Sequence, residues 1–278
     1  MAALYDDATT PGDPPRASSR EASTAPHGEP QPPSETPIIA FFDVDNTLMR
    51  GASVYHLGWA AWKRGYVTWR DLVRFTWKQM RFIAVGENHR HQLAVRDRAL
   101  ELIAGHTIAE LESIAIETYE TRIHKLLLPE TVGLARDHLD KGHEVWLITA
   151  TPEACARVIA ERLGLTGAIG TRIHDIDGVF TGELQGHVMH GTEKALAAKE
   201  LALDKRADLP DCWAYSDSRN DIPLLELAGN RVVVNPDAAL KRYADARNWP
   251  KITAGAASIR AQRRRVRREA RAVAKNAG

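Results

Sequence analysis

The chain is predicted to be an α/β protein, a Rossmann-like, doubly wound parallel sheet interrupted by an inserted all-helical domain. Three observations predict it. The apolar run Ile38-Ile-Ala-Phe-Phe42 ends abruptly in two acids, Asp43 and Asp45. Such a run reads as a strand buried on both faces. Residues 53–125 carry helical spacing and no strand pattern. From Glu130 onward, apolar runs alternate with amphipathic stretches, the order that gives parallel strands joined by helical crossovers.

Residues 1–36 hold seven of the fourteen prolines and little to bury, so a disordered leader is expected there. The core then occupies 37–52 and 126–250, with a helical cap at 53–125 between its two parts and a basic tail at 251–278. Within the cap, Val54–Lys63 repeats Tyr55, Trp59 and Trp62 at helical spacing, and Gly65 marks a stop. Thr68 to Val85, Leu93 to Ile103 and Ile108 to His124 read as further helices. The aromatics, with Trp69, Phe75 and Trp77, line a pocket for an apolar substrate, touch a membrane or form the core of this small domain; the core reading is preferred.

Glu130–Lys141 is expected as a helix and His143–Thr149 as the second core strand. Thr151-Pro-Glu153 opens a helix running to Gly164. Ile169–Ile173 reads as a strand. Asp177-Gly178 is a hairpin turn between Arg172–Ile176 and Val179–Leu184. Thr192–Leu203 is a helix, Asp211–Ser216 a strand, Ile222–Leu227 a helix, Arg231–Val234 a strand and Asp237–Asn248 a helix.

Composition narrows the function classes. The 278 residues are 44% hydrophobic and 26% charged, which fits a globular core. No run of eighteen apolar residues and no secretory pattern occur, and the two cysteines, Cys155 and Cys212, are far apart. A spanning helix and a disulfide framework are therefore not expected, and a cytoplasmic setting is. The net charge of +1 conceals a basic end: residues 260–278 hold eight Lys or Arg and one Glu. That tail is expected to be solvated, with weak contact to nucleic acid or anionic lipid as the alternative.

Four places carry chemistry. Asp43 and Asp45 point roughly the same way at a strand's carboxyl end, where open α/β sheets bind ligands. One carboxylate there can attack phosphorus while the other handles a proton, with a divalent metal easing their repulsion. Thr149 ends the second core strand, and its hydroxyl, with the N–H of Ala150, can hold phosphate oxygens. Lys194 opens a helix, where a cation opposes the macrodipole unless an anion shares the site. Lys199 is a second candidate nearby, but Lys194 sits at the loop. Asp217 ends another strand, Asp221 follows at i+4, and hard divalent cations favour such oxygens.

These four, in this order, resemble the motifs of the haloacid dehalogenase superfamily: Asp43-Val-Asp45-Asn-Thr47, then Thr149, then Lys194, then Asp217 with Asp221. The helical insert and the run Val232-Val-Val-Asn-Pro-Asp237 resemble the phosphoserine-phosphatase-like subfamily. The resemblance covers residues 37–250. It implies a Mg²⁺-dependent phosphatase in which Asp43 forms an aspartyl-phosphate. Asp45 then serves as acid and base, and Thr149 and Lys194 hold the phosphoryl oxygens. It further implies that Mg²⁺ is held by Asp43, the Asp45 carbonyl and Asp217, supported by Asp221 and Asn220.

One departure bears on substrate. Phosphoserine phosphatases of this type carry a Glu near the position of Ala52, yet no acid occurs from Asn46 to Thr68, and Arg50 lies nearby instead. The expected substrate is therefore a small phosphorylated metabolite. Phosphoserine phosphatase proper is the alternative, and a non-enzymatic binding module using the basic tail is the alternative of another class.

Overall fold

Every residue of β1 (Ile39–Phe42) is buried. Its side chains alternate between two apolar clusters: Ala40 and Phe42 join one, Ile39 and Phe41 the other. A strand apolar on both faces needs cover on both, which suits the middle of a parallel sheet. The computed structural model describes residues 36–66, 97 and 99–255. The expected leader, the Thr68–Val85 helix, residues 93–96 and 98 of the Leu93–Ile103 helix and the Arg-rich end lie outside the described residues, while 97 and 99–103 are helical as expected.

β1 lies between β2 (Glu144–Pro152) and β6 (Trp213–Ser216), parallel to both. Beyond β2 lies β3 (Gly167–Thr171), and beyond β6 lie β7 (Asn230–Val234) and β8 (Lys251–Ile252). The chain thus builds outward from β1 to β3, then returns to β6 and builds the other way. The reversal between β1 and β6 opens a crevice at their carboxyl ends. Register brings the chemistry there. Phe42 is level with Leu147 and with Tyr215, so Asp43, Thr149 and Asp217 all follow within two residues of one line across the sheet.

The helices α1 (Ser53–Lys63) and α2 (Ile108–Thr121) belong to the stretch between β1 and β2. α2 starts with a reciprocal cap: Glu110 N donates to Thr107 Oγ1 at 3.1 Å, and Thr107 N to Glu110 Oε2 at 2.7 Å. α3 (Pro129–Asp140) precedes β2 with proline in its first turn. α4 (Glu153–Leu163) follows β2 and stops at Gly164, whose φ of 69° is the left-handed conformation glycine adopts freely. α5 (Thr192–Lys205), α6 (Ile222–Leu227) and α7 (Ala238–Ala246) follow in the second half of the chain.

Several boundaries differ from the sequence reading. The third core strand lies at 167–171 rather than 169–173. Residues 173–176 pair antiparallel with β5 (Val179–Leu184) as β4 (Ile173–Ile176), the expected hairpin, apart from the main sheet and closed by Asp177 and Gly178 in left-handed conformations. Gly170 permits the close contact of β3 with α4, since a Cβ there would sit 2.5 Å from Glu153 Cα. α2 ends at Thr121, before His124: Thr118 and Thr121 bond back to the carbonyls of Ile114 and Glu117, and a 3₁₀ turn (Ile123–Lys125) follows. β8, within the segment assigned to the tail, adds a sixth strand. On α1 the buried stripe is Ser53, Leu57 and Ala60, while Tyr55, Trp59 and Trp62 are only partly buried, so these aromatics are not its core face.

Candidate active site

Asp43 leaves β1 and turns into the crevice, its amide donating to Tyr215 O at 3.0 Å. The chain then folds sharply: Asn46 takes φ 58°, and the amides of Leu48 and Met49 return to Val44 O. Asparagine tolerates that conformation better than most residues. The turn brings Thr47 Oγ1 to Asp43 Oδ2 at 3.1 Å. It also carries Asp45 to the start of α1, where Ser53 N donates to Asp45 Oδ1 at 2.8 Å.

Lys194 reaches across from the first turn of α5. Its Nζ lies 2.7 Å from Asp43 Oδ1 and 2.7 Å from Asp221 Oδ2, and it is 3% exposed. Lys199, five residues on, is exposed; at 3.6 residues per turn it points elsewhere. Asp221 Oδ2 also accepts from Ser216 Oγ at 2.7 Å, whereas Asp221 Oδ1 is buried without a hydrogen-bond partner. Asn220 sits in the same 3₁₀ turn, its amide donating to Ser218 Oγ. The Asp217–Asp221 loop is fixed from β7 by Asp237, whose Oδ2 accepts from Arg219 N and whose amide donates to Asp217 O.

Thr149 reaches the same sheet edge but is engaged sideways. Its Oγ1 donates to Thr151 Oγ1 at 3.1 Å and accepts from Thr151 N. Thr151 Oγ1 in turn lies 2.6 Å from Ser53 Oγ. Ala150 beside it is exposed, with its carbonyl accepting from Thr171 Oγ1. Ser53, Thr151, Ser216 and Asp237 were not singled out from sequence. Ser53 and Thr151 lie 98 positions apart, and only the fold joins them; for Asp237 the signal that could have found it is an acid just ahead of a helical stretch, where it caps the amides of Ala239 and Leu240.

The site is short of positive charge. Burial pushes the Asp43 carboxyl up to about 6 although Lys194 pulls it down. Burial, then the charges of Asp43 and Asp221, push Asp217 up to about 8. Burial also raises Asp45, against the hydrogen bonds from Ser53. Burial alone would lower the Lys194 ammonium, but the carboxylates of Asp43 and Asp221 reverse this and raise it.

This setting fits a divalent cation. Carboxylates crowd together around the Lys194 ammonium, one buried carboxylate oxygen lacks a partner, and oxygen donors suit a hard ion. Among the described residues no trio of His, Cys, Asp or Glu side chains stands at metal-binding spacing. A set of two side-chain carboxylates and one main-chain carbonyl does not call for such a trio. Behind the acids the structure is stiff: the Phe42 and Tyr215 rings stack at 4.1 Å, and His138 Nε2 lies 2.8 Å from Tyr215 OH.

Comparison with known proteins agrees with this geometry. Residues 40–226 match the family profile described as haloacid dehalogenase-like hydrolase. The chain is 43% identical over 254 residues to phosphoserine phosphatase SerB1 of Mycobacterium tuberculosis, covering 87% of this chain and 82% of that protein. A Bordetella pertussis protein of unknown function superposes with TM-score 0.69 at 29% identity, covering 78% of this chain and 98% of that one. A phosphoserine phosphatase with a phospho-aspartyl intermediate analogue shares the fold at TM-score 0.55 and 21% identity, covering 75% and 91%.

Proposed function

The chain belongs to the haloacid dehalogenase-like hydrolase family and is a phosphatase, and on that premise we propose that it is a Mg²⁺-dependent phosphomonoesterase acting on a small phosphorylated metabolite through an aspartyl-phosphate. The observation that carries the reading is the Lys194 ammonium held at 2.7 Å from both Asp43 and Asp221. A buried cation so placed positions the nucleophile and faces the charge that a transferring phosphoryl group spreads over its oxygens.

An oxygen of the Asp43 carboxylate attacks phosphorus, and the bond from phosphorus to the alcohol oxygen breaks. Asp45, whose carboxyl burial keeps protonated more readily than usual, gives its proton to the departing oxygen. Water then attacks the aspartyl-phosphate, Asp45 takes its proton, and inorganic phosphate leaves with the Asp43 carboxylate restored. Splitting hydrolysis this way replaces one difficult step by two easier ones. Asp43, Asp217 and the Asp45 carbonyl would hold Mg²⁺, supported by Asp221 and Asn220. When bound, the ion supplies charge that counters the phosphoryl oxygens. Lys194 and Thr149, with the Ala150 amide, hold the phosphoryl oxygens.

The test is phosphate release across a panel of phosphomonoesters with and without Mg²⁺. Turnover should require the ion and vanish in Asp43→Asn; wild-type activity in that variant would refute the nucleophile assignment.

A second reading is phosphoserine phosphatase proper, favoured by the name of the 43% identical relative. Against it, α1 has no acid in its first turn and Ala52 stands at its start, leaving no carboxylate there for an ammonium group. Relative turnover of phosphoserine and an aryl phosphate separates the two. We place the protein in the cytoplasm, supported by its two free, buried cysteines. Among the described residues no helix is long and apolar enough to cross a membrane. For residues 260–278 the proposal is weak, salt-sensitive contact with polyanions, which deletion of that segment would abolish.

A further inference from the structure

The partly exposed side of α1 forms a platform beside Asp45. His56 and Trp59 follow Ala52 at helical spacing, so they stand on one side of α1. Trp59 packs against Trp62 with ring centroids 4.9 Å apart. The Arg122 guanidinium lies over the Trp59 ring at 5.0 Å. Arg122 comes from the end of α2. It is brought near by a seam in which Arg50 N donates to Leu126 O and Leu128 N to Leu48 O, both at 2.9 Å.

Two features of this platform are unsatisfied. Trp59 Nε1 is buried without a hydrogen-bond partner. Arg122 is partly buried and, among the described residues, its guanidinium meets no carboxylate. The nearby acids of α2 are committed elsewhere, Glu117 to Arg64 at 2.8 Å and Glu120 to Arg162 at 3.3 Å. A guanidinium stacked on an aromatic ring uses its face and leaves its edge donors free to grip an oxyanion in a fork. His56 adds no rival charge at neutral pH: burial, then Arg122, push its imidazole down.

Distance fits a small substrate. Ser53 N touches Asp45, and Trp59 lies six residues farther, roughly 9 Å along a helix rising about 1.5 Å per residue. Helix side chains lean back toward the N-terminus and the Arg122 side chain is long, which shortens the gap that a two- or three-carbon alcohol has to cross.

We propose that Arg122, with the Trp59 indole N–H, is the specificity site for the leaving alcohol, and that it selects alcohols carrying a second anionic group, a carboxylate or a second phosphate. The inference rests on the phosphatase reading and deepens it. Arg122 is a specificity residue and takes no part in bond making.

The experiment uses full-length enzyme with Mg²⁺ and four matched monoesters: ethyl phosphate (neutral), 2-phosphoglycolate (carboxylate), propane-1,3-diol bisphosphate (phosphate) and 2-aminoethyl phosphate (cationic). The wild type should favour the anionic esters over ethyl phosphate by about tenfold or more in kcat/KM, the size of a charge-assisted hydrogen bond. The KM values of the carboxylate and bisphosphate arms then tell which anion is preferred. Arg122→Ala should raise KM for the anionic esters by a similar factor, with kcat little changed and ethyl phosphate unaffected. Arg122→Lys should keep part of the preference. Trp59→Phe retains a ring and loses the N–H, so it decides the matter should Arg122→Ala fail to fold: its KM should rise for the anionic esters alone. Equal losses on all four esters, or a wild type that ignores charge or favours the aminoethyl ester, would overturn the inference while leaving the phosphatase reading intact. No cleavage of any ester overturns both.

Discussion

Asp217→Asn should stabilise the metal-free protein while disabling it. In the folded chain the Asp217 carboxyl is pushed up to about 8 by burial and by the charges of Asp43 and Asp221, against an ordinary value of 3.8. The folded state therefore binds this proton more tightly than the unfolded state. The stability it provides is complete below pH 3.8 and is lost as pH rises through about 8. Taken alone, a difference of that size is worth about 6 kcal/mol at about 1.36 kcal/mol for each pH unit. Asp217 is partly exposed and shares its protons with its neighbours, so about 2 kcal/mol is the expected gain from the amide at pH 8. That corresponds to roughly 4–8 °C in Tm for a domain of this size. Thermal unfolding in EDTA from pH 5 to 9 measures it: the variant should exceed the wild type most at high pH and converge with it at low pH. Mg²⁺ should then stabilise the wild type and leave the variant nearly unmoved, with phosphatase activity down by at least ~100-fold. A variant less stable than wild type at pH 8 in EDTA, or equally stabilised by Mg²⁺, would refute the account of a site short of positive charge.

Two further outcomes follow from the same structure. Lys194→Met should lower kcat by about 10²–10³-fold, the cost of removing one preorganised charge from a phosphoryl site, as read by steady-state phosphate release; a drop below about threefold would mean that Lys194 only braces the fold. His138 is 4% exposed, and burial pushes its imidazole down to about 4. Its neutral form is the one that packs, so stability is held above pH 6.5 and lost as pH falls toward 4. Asp43 and Asp217 act in the opposite sense over that range, so the test is the difference between wild type and His138→Gln in urea unfolding. The wild type should lose about 2 kcal/mol relative to the variant between pH 6.5 and 4, and parallel profiles would dismiss the effect.

The sheet and its acids were legible because their signals are local. A buried run ending in Asp43, and a strand running into Asp217, each announce a strand end in half a dozen residues. Lys194 could be preferred to Lys199 from its place at a loop; in the structure the first is buried and the second exposed. What escaped is non-local or conformationally weak. β3 is Gly167-Ala-Ile-Gly-Thr171, poor in strand formers, and it is held by pairing with β2 and by the contact that Gly170 permits with α4. The early end of α2 comes from threonine hydroxyls that a periodicity count treats as neutral positions. The platform on α1 was hidden because Tyr55, Trp59 and Trp62 have the spacing of a core stripe, while the stripe that packs inward begins with a serine.

That serine has a consequence for how the molecule works. Ser53 is at once the first residue of α1, the donor to Asp45 and the neighbour of Thr151. The helix bearing the platform therefore cannot tilt without disturbing Asp45, the group proposed to manage the proton, and on that reading a mis-seated alcohol would meet both faults together. On the proposed mechanism, discrimination and timing share that single pivot, so changes far out along α1 should alter turnover without touching any reacting atom.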